Sequence, residues 1–185
     1  MLSNKAIISA VAEKLEQYEI KKLVIDPVMR AKNGYPLLKH EAEKALIEEL
    51  LPLALLVTPN IPEAEVLSGI KITSLDSMKE AAKKIKSIGP KYVLVKGGHI
   101  SWSHEAIDIL YDGKDFLSFT SPRIQTKNTH GTGCTYSAAI CAGLAKGLNL
   151  IKAILEAKDY VTGSIKRSFN LGSGNGPLNH FWKFE

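Results

Sequence analysis

Residues 56–65 read Leu-Val-Thr-Pro-Asn-Ile-Pro-Glu-Ala-Glu, and this stretch decides the fold class. It begins inside the run at residues 53–58, which is apolar on both faces, as a buried parallel strand is. A proline then marks the start of a helix directly after Asn60. Similar apolar runs occur at residues 22–28 and 92–96, with helical patterns between them. This alternation predicts an α/β fold with a mostly parallel sheet that is covered by helices.

The remaining patterns fit the same architecture. Helical periodicity is present at residues 3–18, 39–51, 76–88, 132–147 and 149–169. Two further strand patterns, residues 106–111 and 115–120, flank Asp112-Gly113, and a short Asp-Gly turn between strands predicts an antiparallel hairpin. The chain has 185 residues, of which 45% are hydrophobic. That is enough for one domain, residues 1–185, to fold without disulfides or structural zinc.

Composition and charge exclude several classes of partner. The chain carries 24 lysines and arginines against 19 acidic residues, a formal net charge of +5. These basic residues are dispersed, whereas a duplex-binding protein usually concentrates them on one face, so we predict no nucleic-acid partner. No apolar run approaches the roughly 18 residues that span a bilayer, and the first residues do not resemble a signal peptide. We therefore predict no membrane partner and a cytoplasmic location.

Both cysteines are predicted to be free thiols. Cys134 and Cys141 stand seven residues apart in one predicted helix, which separates their Cα atoms by roughly 10 Å, too far for a disulfide. Cys141 fits the pattern of an inert buried residue on an apolar helix face. Cys134 lies at the helix start, where the helix dipole would lower the pKa of a thiol and make it available as a base. An inert buried thiol is the alternative for Cys134 as well.

Ligands of parallel sheets bind beyond the carboxyl ends of the strands, and three predicted strand ends carry polar or glycine motifs. These motifs are Asp26-Pro27-Val28-Met29, Thr58-Pro59-Asn60-Ile61-Pro62-Glu63 and Lys96-Gly97-Gly98-His99. Asn60 and Glu63 can hold a hydrated Mg²⁺ or can form a helix capping box. Asp26 either caps a loop or faces the same cation. Lys96 with its two glycines either meets a phosphate or nucleotide, or forms only a tight turn.

A fourth motif, Gly131-Thr132-Gly133-Cys134, opens the helix predicted at residues 132–147. Glycines allow successive backbone N–H groups to point in one direction, and a helix start adds partial positive charge, so the segment predicts an anion cradle. The alternative is a glycine-rich turn that is capped by Thr132. The segment is not a Walker A loop, because the Gly-Lys-Ser/Thr ending is absent.

Five segments, taken in their order along the chain, resemble the ribokinase-like superfamily, and most closely the hydroxymethylpyrimidine (phosphate) kinases of thiamine biosynthesis. These segments are residues 24–29, 56–65, 93–99, 128–135 and 174–180. The resemblance implies a ribokinase-like three-layer α/β/α fold. It also implies phosphoryl transfer from ATP, with Mg²⁺, to 4-amino-5-hydroxymethyl-2-methylpyrimidine or its monophosphate. Pyridoxal kinase is the close alternative, and a nucleotide-binding module without turnover is the alternative of another class.

The resemblance also assigns roles to residues. The anion hole and the base correspond to Gly131, Thr132, Gly133 and Cys134. The magnesium group corresponds to Asp26, Asn60 and Glu63. The nucleotide side corresponds to Lys96, Gly97, Gly98 and Thr129, and the pyrimidine pocket to Val28 and His130.

The resemblance has two further implications. Association into homo-oligomers is expected. The glycine-rich strand and helix with which the family begins have no counterpart here, so an N-terminally shortened fold with an exposed apolar sheet edge is expected.

Overall fold

The computed structural model describes residues 2–30, 35–98, 100 and 102–184, which contain six α-helices and five strands. The helices are α1 Lys5–Gln17, α2 His40–Ala45, α3 Ile61–Ser68, α4 Leu75–Lys86, α5 Thr132–Ala145 and α6 Leu150–Lys166. The strands are β1 Val24–Ile25, β2 Leu56–Val57, β3 Tyr92–Val95, β4 Glu105–Tyr111 and β5 Phe116–Pro122. None of the helices in these ranges is long and apolar enough to cross a membrane.

The strands form one sheet in the order β1-β2-β3-β4-β5. Strands β1, β2 and β3 pair in parallel, with Val24 opposite Leu56 and Leu56 opposite Tyr92. Strand β4 is antiparallel to both of its neighbours, so the other four strands run in one direction. The predicted mostly parallel sheet and the predicted hairpin at Asp112-Gly113 are confirmed.

Helices cover both faces of this sheet, as predicted. Successive side chains of a strand point to opposite faces, and β3 displays this alternation. Val93 and Val95 belong to a core with α3 and α4, whereas Leu94 belongs to a core with α5 and α6. A third core buries Ile25 and Val57 against α1 and α2.

Two parallel strands are shorter than the apolar runs that predicted them. Strand β1 has two paired residues within the predicted run 22–28, and β2 has two within 53–58. Prolines explain the early ends, because Pro27 and Pro59 have no N–H to donate to a ladder. Past β1 the chain turns locally, and the Val28 N–H donates to the Asp26 carbonyl over 2.8 Å. The polar motifs therefore follow the last paired residues of β1 and β2, although the Thr58 N–H still donates to the Ile25 carbonyl over 3.0 Å.

The prediction of one regular α-helix over residues 39–51 was wrong. Helix α2 passes into a π-helical turn at Leu46–Leu50 and a 3₁₀ turn at Leu51–Leu53. Pro52 cannot supply the N–H that a continuing α-helix requires. The hydrophobic periodicity does not indicate helix α3, whose start is marked by a proline. The helix ends at Gly69, whose backbone has the left-handed conformation with φ of 69°.

Candidate active site

A cavity of about 510 Å³ lies beside β1, the edge strand of the described sheet. Most of its lining is apolar, and α5, β1, α1 and the segment that follows α2 all contribute to it. Asp26, Val28 and Cys134 line it as well, so three residues that the sequence analysis assigned to different roles share one cavity. An apolar cavity with a few polar groups is the usual form of a small-molecule site.

Helix α5 begins at this cavity without a side-chain cap among the described residues. Its N-cap residue is Gly131, in the left-handed conformation with φ of 81°. The Thr132 hydroxyl donates to the Thr129 carbonyl over 2.9 Å instead of accepting a bond from the first turn of the helix. The reading of Thr132 as the cap was therefore wrong. Backbone N–H groups at a helix start that no side chain caps suit an anion.

A buried lysine lies behind this helix start. Lys96 follows β3, and its Nζ donates to Asp26 Oδ1 over 2.7 Å. A Cβ built on Gly133 would lie 3.2 Å from the same Nζ, so the ammonium group lies directly behind the glycine. The family resemblance implies that Lys96 lies on the nucleotide side of the site. Its position between Asp26 and Gly133 brings its charge to the anion cradle itself.

Asp26 uses only one of its two carboxylate oxygens within the described part of the chain. Oδ1 accepts from Lys96 and, over 3.4 Å, from the Thr58 hydroxyl. Oδ2 is buried and has no hydrogen-bond partner among the described residues. A buried carboxylate oxygen without a partner is costly, unless a ligand occupies the position beside it.

Asn60 and Glu63 form the capping box that the sequence left as one of two readings. The Glu63 N–H donates to Asn60 Oδ1 over 3.0 Å, and the Asn60 N–H donates to Glu63 Oε2 over 2.9 Å. The pKa of Glu63 is raised to about 7, mainly by burial. The Asn60 hydrogen bonds and the Lys96 charge lower this pKa, and the Asp26 charge raises it. The charges of Asp26 and Lys96 thus both act on Glu63, and we refer to the three residues as the charged cluster.

This cluster fits a lightly coordinated cation. The described residues contain no group of three or more His, Cys, Asp or Glu side chains that could hold a metal ion. Mg²⁺ keeps several of its waters and needs only one or two carboxylates from the protein. Asp26 and Glu63 provide two, and the buried Oδ2 of Asp26 is the oxygen that lacks a partner.

The two thiols differ from their predicted states. Partial burial raises the pKa of Cys134 above the ordinary thiol value, and the adjacent Asp26 carboxylate raises it further, with Lys96 opposing. The expected lowering of this pKa by the helix start was therefore wrong. Cys141, predicted to be buried, is exposed and lines the same cavity. Both cysteines are free thiols, as expected.

Two hydroxyls that the sequence analysis passed over hold α5 against the sheet. Thr58 Oγ1 and Ser137 Oγ lie 2.8 Å apart in the interior, and the Ser137 hydroxyl also lies 3.1 Å from the Gly133 carbonyl. These contacts tie the end of β2 to the first turn of α5. In the sequence, Ser137 is only one small residue among others in this helix, so its contact with the sheet could not be predicted. Its position four residues after Gly133, on the same helix face, was the one available signal.

The remaining predicted site residues lie in the loop that follows β3 and in the loop that precedes α5. Gly98 is exposed with open space around its Cα, whereas Gly97 is packed against β4. Thr129 and the exposed His130 precede α5, and the His130 N–H donates to the Gly176 carbonyl over 3.3 Å. Among the described residues that line the cavity, His130 is not found. His99 of the third motif lies outside the described residues.

Comparison with known proteins gives the family. A family model described as phosphomethylpyrimidine kinase matches residues 1–179. The hydroxymethylpyrimidine/phosphomethylpyrimidine kinase of Bacillus subtilis is 43% identical over 98% of this chain and 67% of its own length. A thiamine biosynthesis bifunctional protein of Geobacter sulfurreducens is 49% identical over 97% of this chain and 36% of its length. The chain thus spans about two thirds of the kinase and about a third of the bifunctional protein.

Solved structures share the fold. A Bacillus subtilis pyridoxal kinase in an ADP complex superposes on all of this chain and on 68% of its own, with a TM-score of 0.90 and 41% identity. A phosphomethylpyrimidine kinase of Clostridium difficile gives a TM-score of 0.78 at 44% identity, over 89% of this chain and 66% of its own. The predicted ribokinase-like α/β fold is confirmed, and the chain belongs to the phosphomethylpyrimidine kinase family.

Proposed function

We propose that the protein transfers the γ-phosphoryl group of ATP to the hydroxymethyl group of 4-amino-5-hydroxymethyl-2-methylpyrimidine, to its monophosphate, or to both. One observation carries the proposal: the start of α5 opens onto the cavity that Asp26, Val28 and Cys134 line. A cradle for the moving group, a base and a cation site thereby surround one space. Membership of the phosphomethylpyrimidine kinase family supports the choice of acceptor.

The anion cradle stabilises the phosphoryl group in flight. Phosphoryl transfer leaves little covalent chemistry to the protein, so oriented donors and positioning supply most of the rate. Gly131 and Gly133 contribute backbone N–H groups at the start of α5, and Thr132 stays in the turn through the long bond, 3.5 Å, from its N–H to the Thr129 carbonyl. The Lys96 ammonium, 3.2 Å from the position of a Gly133 Cβ, adds a full positive charge behind them.

Cys134 is the base in this proposal. Its Sγ accepts the proton of the substrate hydroxyl as the hydroxyl oxygen attacks the γ-phosphorus. The raised pKa makes the thiolate a stronger base but a minor species at neutral pH. We therefore expect turnover to increase toward alkaline pH, because a general base acts in its deprotonated form.

The two substrates approach from opposite sides of the cradle. The nucleotide side is formed by Lys96, Gly97, Gly98 and Thr129: the exposed Gly98 has open space around its Cα, and the buried Lys96 and Gly97 support the loop from behind. Val28 lines the cavity and packs against the pyrimidine ring. His130 reaches the ring only from the rim, because it lies outside the described lining of the cavity.

Asp26 and Glu63 are the residues that would hold Mg²⁺, and Asn60 fixes the position of Glu63 through the capping box. Bound Mg²⁺ would supply positive charge that offsets the charge of the phosphate oxygens. Deprotonation of Glu63, whose pKa is raised to about 7, prepares the site for a cation.

The two cysteines of α5 provide a matched test of the proposed function. Cys134→Ala should lower kcat about 10²- to 10⁴-fold, the range of a general base, and change the KM for ATP little. Cys141→Ala removes the other exposed thiol of the same cavity lining and should leave kcat within about twofold of the wild-type value. An unchanged kcat in Cys134→Ala would remove Cys134 from the mechanism.

Pyridoxal is the second candidate acceptor. The close superposition on a pyridoxal kinase, with a TM-score of 0.90, favours keeping it. Initial rates with the pyrimidine alcohol, its monophosphate and pyridoxal, measured on one preparation, rank the three by kcat/KM. We expect the pyrimidines to rank first, and a higher kcat/KM for pyridoxal would reverse the assignment.

Two further expectations belong to the whole protein. A module that binds nucleotide without turnover would bind MgATP in calorimetry and release no ADP with any of the three alcohols.

We also propose a homo-oligomer, because the apolar edge beside β1 favours association. Light scattering that gives a clean monomer at high protein concentration would contradict the oligomer.

A further inference from the structure

A second buried ion pair lies away from the cavity, on the far side of Lys96. Asp108 is the one charged residue in the middle of β4, and it is only 3% exposed. Its Oδ2 accepts from the Nζ of Lys158 in α6 over 2.6 Å. Its Oδ1 accepts from the backbone N–H of Gly97 over 2.9 Å. The carboxylate is thus divided between a buried cation and the loop that follows β3.

Stability alone does not account for this pair. Replacing a buried ion pair by apolar side chains of similar volume is often neutral or stabilising, because burial removes the water around both charges. Lys158 is 8% exposed and lies on the apolar face of α6, beside Ala157 and Val161, which are also buried. Apolar residues would fill both positions. The bond to the Gly97 N–H is the contact that apolar residues could not supply.

The orientation of the Lys96–Gly97 peptide is what the pair controls. The Asp108 carboxylate holds the Gly97 N–H on one side. On the other side, a Cβ on Gly97 would overlap the Ile107 carbonyl, so the glycine backbone lies directly against β4. The Lys96 N–H donates to the Pro59 carbonyl over 2.8 Å. The backbone of Lys96 and Gly97 is therefore held at both of its N–H groups.

This peptide carries the lysine of the anion cradle. The Lys96 Nζ contacts Asp26 and lies behind Gly133, so a rotation of its backbone would move a charge at the reacting centre. A displacement of about 1 Å in a catalytic arrangement can cost about 10²-fold in rate. Small motions at Gly97 are therefore expected to be visible in turnover.

We propose that Asp108 and Lys158 are positioning residues for phosphoryl transfer. Lys158 orients the Asp108 carboxylate, the carboxylate fixes the Gly97 N–H, and the fixed peptide holds the Lys96 ammonium behind Gly133. This inference rests on the proposed kinase function and names residues that act through Lys96, without contact to either substrate.

Two double variants isolate the hydrogen bond to Gly97. Asp108→Leu with Lys158→Met removes both charges and the acceptor. Asp108→Asn with Lys158→Met removes both charges and keeps an amide oxygen for the Gly97 N–H. Leucine and asparagine have the same number and branching of side-chain heavy atoms, so the comparison mainly reports the acceptor. The measurements are the urea midpoint, kcat and KM for ATP and for the pyrimidine alcohol, and the exchange rate of the Gly97 amide proton.

We expect both double variants to fold, with the Leu variant losing about tenfold or more in kcat and keeping its KM for the pyrimidine alcohol. The Asn variant should recover most of that kcat. Gly97 exchange should be about tenfold faster in the Leu variant and near the wild-type rate in the Asn variant. Wild-type kcat in the Leu variant, or equal losses in both variants, would overturn the inference.

The exchange measurement separates this inference from the proposed function. It needs no substrate and therefore reports the Gly97 bond in a chain with or without turnover. Slow Gly97 exchange in a wild-type protein that phosphorylates none of the alcohols would reject the kinase proposal and keep the Asp108 contact. Fast turnover combined with equal Gly97 exchange in all variants would reject the positioning role alone.

Discussion

Two buried lysine–aspartate pairs lie on either side of the Lys96–Gly97 peptide, and they differ in how the aspartate uses its second oxygen. Asp26 gives Oδ1 to Lys96 and leaves Oδ2 buried without a hydrogen-bond partner in the described chain. Asp108 gives one oxygen to Lys158 and the other to Gly97. The pair with the unused oxygen lies at the cavity, where a ligand can complete it. The completed pair lies in the interior, where it orients the backbone.

Replacing the lysine of each pair should cost different amounts of unfolding free energy. Lys158→Met leaves the Asp108 carboxylate buried without its cation and should cost about 3–5 kcal/mol of unfolding free energy. Lys96→Met should cost less, because the Asp26 side chain is 15% exposed and that of Asp108 only 4%. Urea unfolding of both variants gives the comparison. Equal losses, or a larger loss in Lys96→Met, would contradict the difference between the pairs.

Glu63 tests the charged cluster through the pH dependence of stability. Its pKa is raised from 4.5 to about 7 in the folded state, so the folded state holds the proton more tightly than the unfolded state between these values. Stability should therefore fall as pH rises from about 4.5 to about 7, by about 3 kcal/mol in total. Glu63→Gln keeps an amide oxygen for the Asn60 N–H and should remove this fall.

Urea titrations of the wild-type protein and Glu63→Gln at pH 5 and pH 8 measure the effect. Mg²⁺ should raise the wild-type midpoint at pH 8 more than that of the variant, because the variant lacks the carboxylate. Parallel pH curves for the two proteins would show that Glu63 does not titrate in this range.

The pH profile of turnover tests the environment of Cys134. Because burial and Asp26 raise the pKa of this thiol, kcat should increase up to about tenfold per pH unit above neutrality and level off above the ordinary thiol pKa. Asp26→Asn should move the plateau to lower pH, because the carboxylate that disfavours the thiolate is gone. Cys134→Ala should lose the alkaline rise, and Cys141→Ala should keep it. A flat profile in the wild-type protein would exclude a thiolate base.

A third lysine–carboxylate pair lies at the surface and should show the smallest effect on stability and activity. Lys83 Nζ and Glu80 Oε1 lie 2.7 Å apart, the distance found between Lys96 and Asp26, but both side chains are about half exposed. Solvent screens such a pair, so Glu80→Gln should leave the urea midpoint and kcat unchanged within error. A measurable loss in either quantity would show that distance, rather than burial, decides the value of these pairs.

The architecture could be predicted because its main signals are local. Apolar runs before Thr58 and Lys96 identified the parallel strands, and Asp112-Gly113 identified the hairpin. The end of β1 was placed too far along, because apolar character continues past Ile25 to Pro27 and Val28. The start of β2 was placed too early, because residues 53–55 are as apolar as the strand itself. The π-helical turn at Leu46–Leu50 has no signature in the hydrophobic pattern.

The site was harder to predict because it depends on contacts across the sheet. Strand-end position brought Asp26 and Lys96 into consideration but did not reveal that they pair over 70 positions of sequence. Asp108 and Lys158 were missed, although each is a charge within an apolar pattern, which is a usable signal for a buried pair. The raised pKa of Cys134 arises from burial and from Asp26, neither of which is visible from its position at a helix start.

The most direct test of the central claim is product formation followed by ³¹P NMR. The wild-type protein, MgATP and the hydroxymethylpyrimidine are incubated together, with Cys134→Ala and Cys141→Ala in parallel. The account predicts a phosphomonoester signal that grows in step with ADP for the wild-type protein and Cys141→Ala, and at least about 10²-fold more slowly for Cys134→Ala. Equal rates of ester formation in all three proteins, or ADP release without any ester, would contradict it.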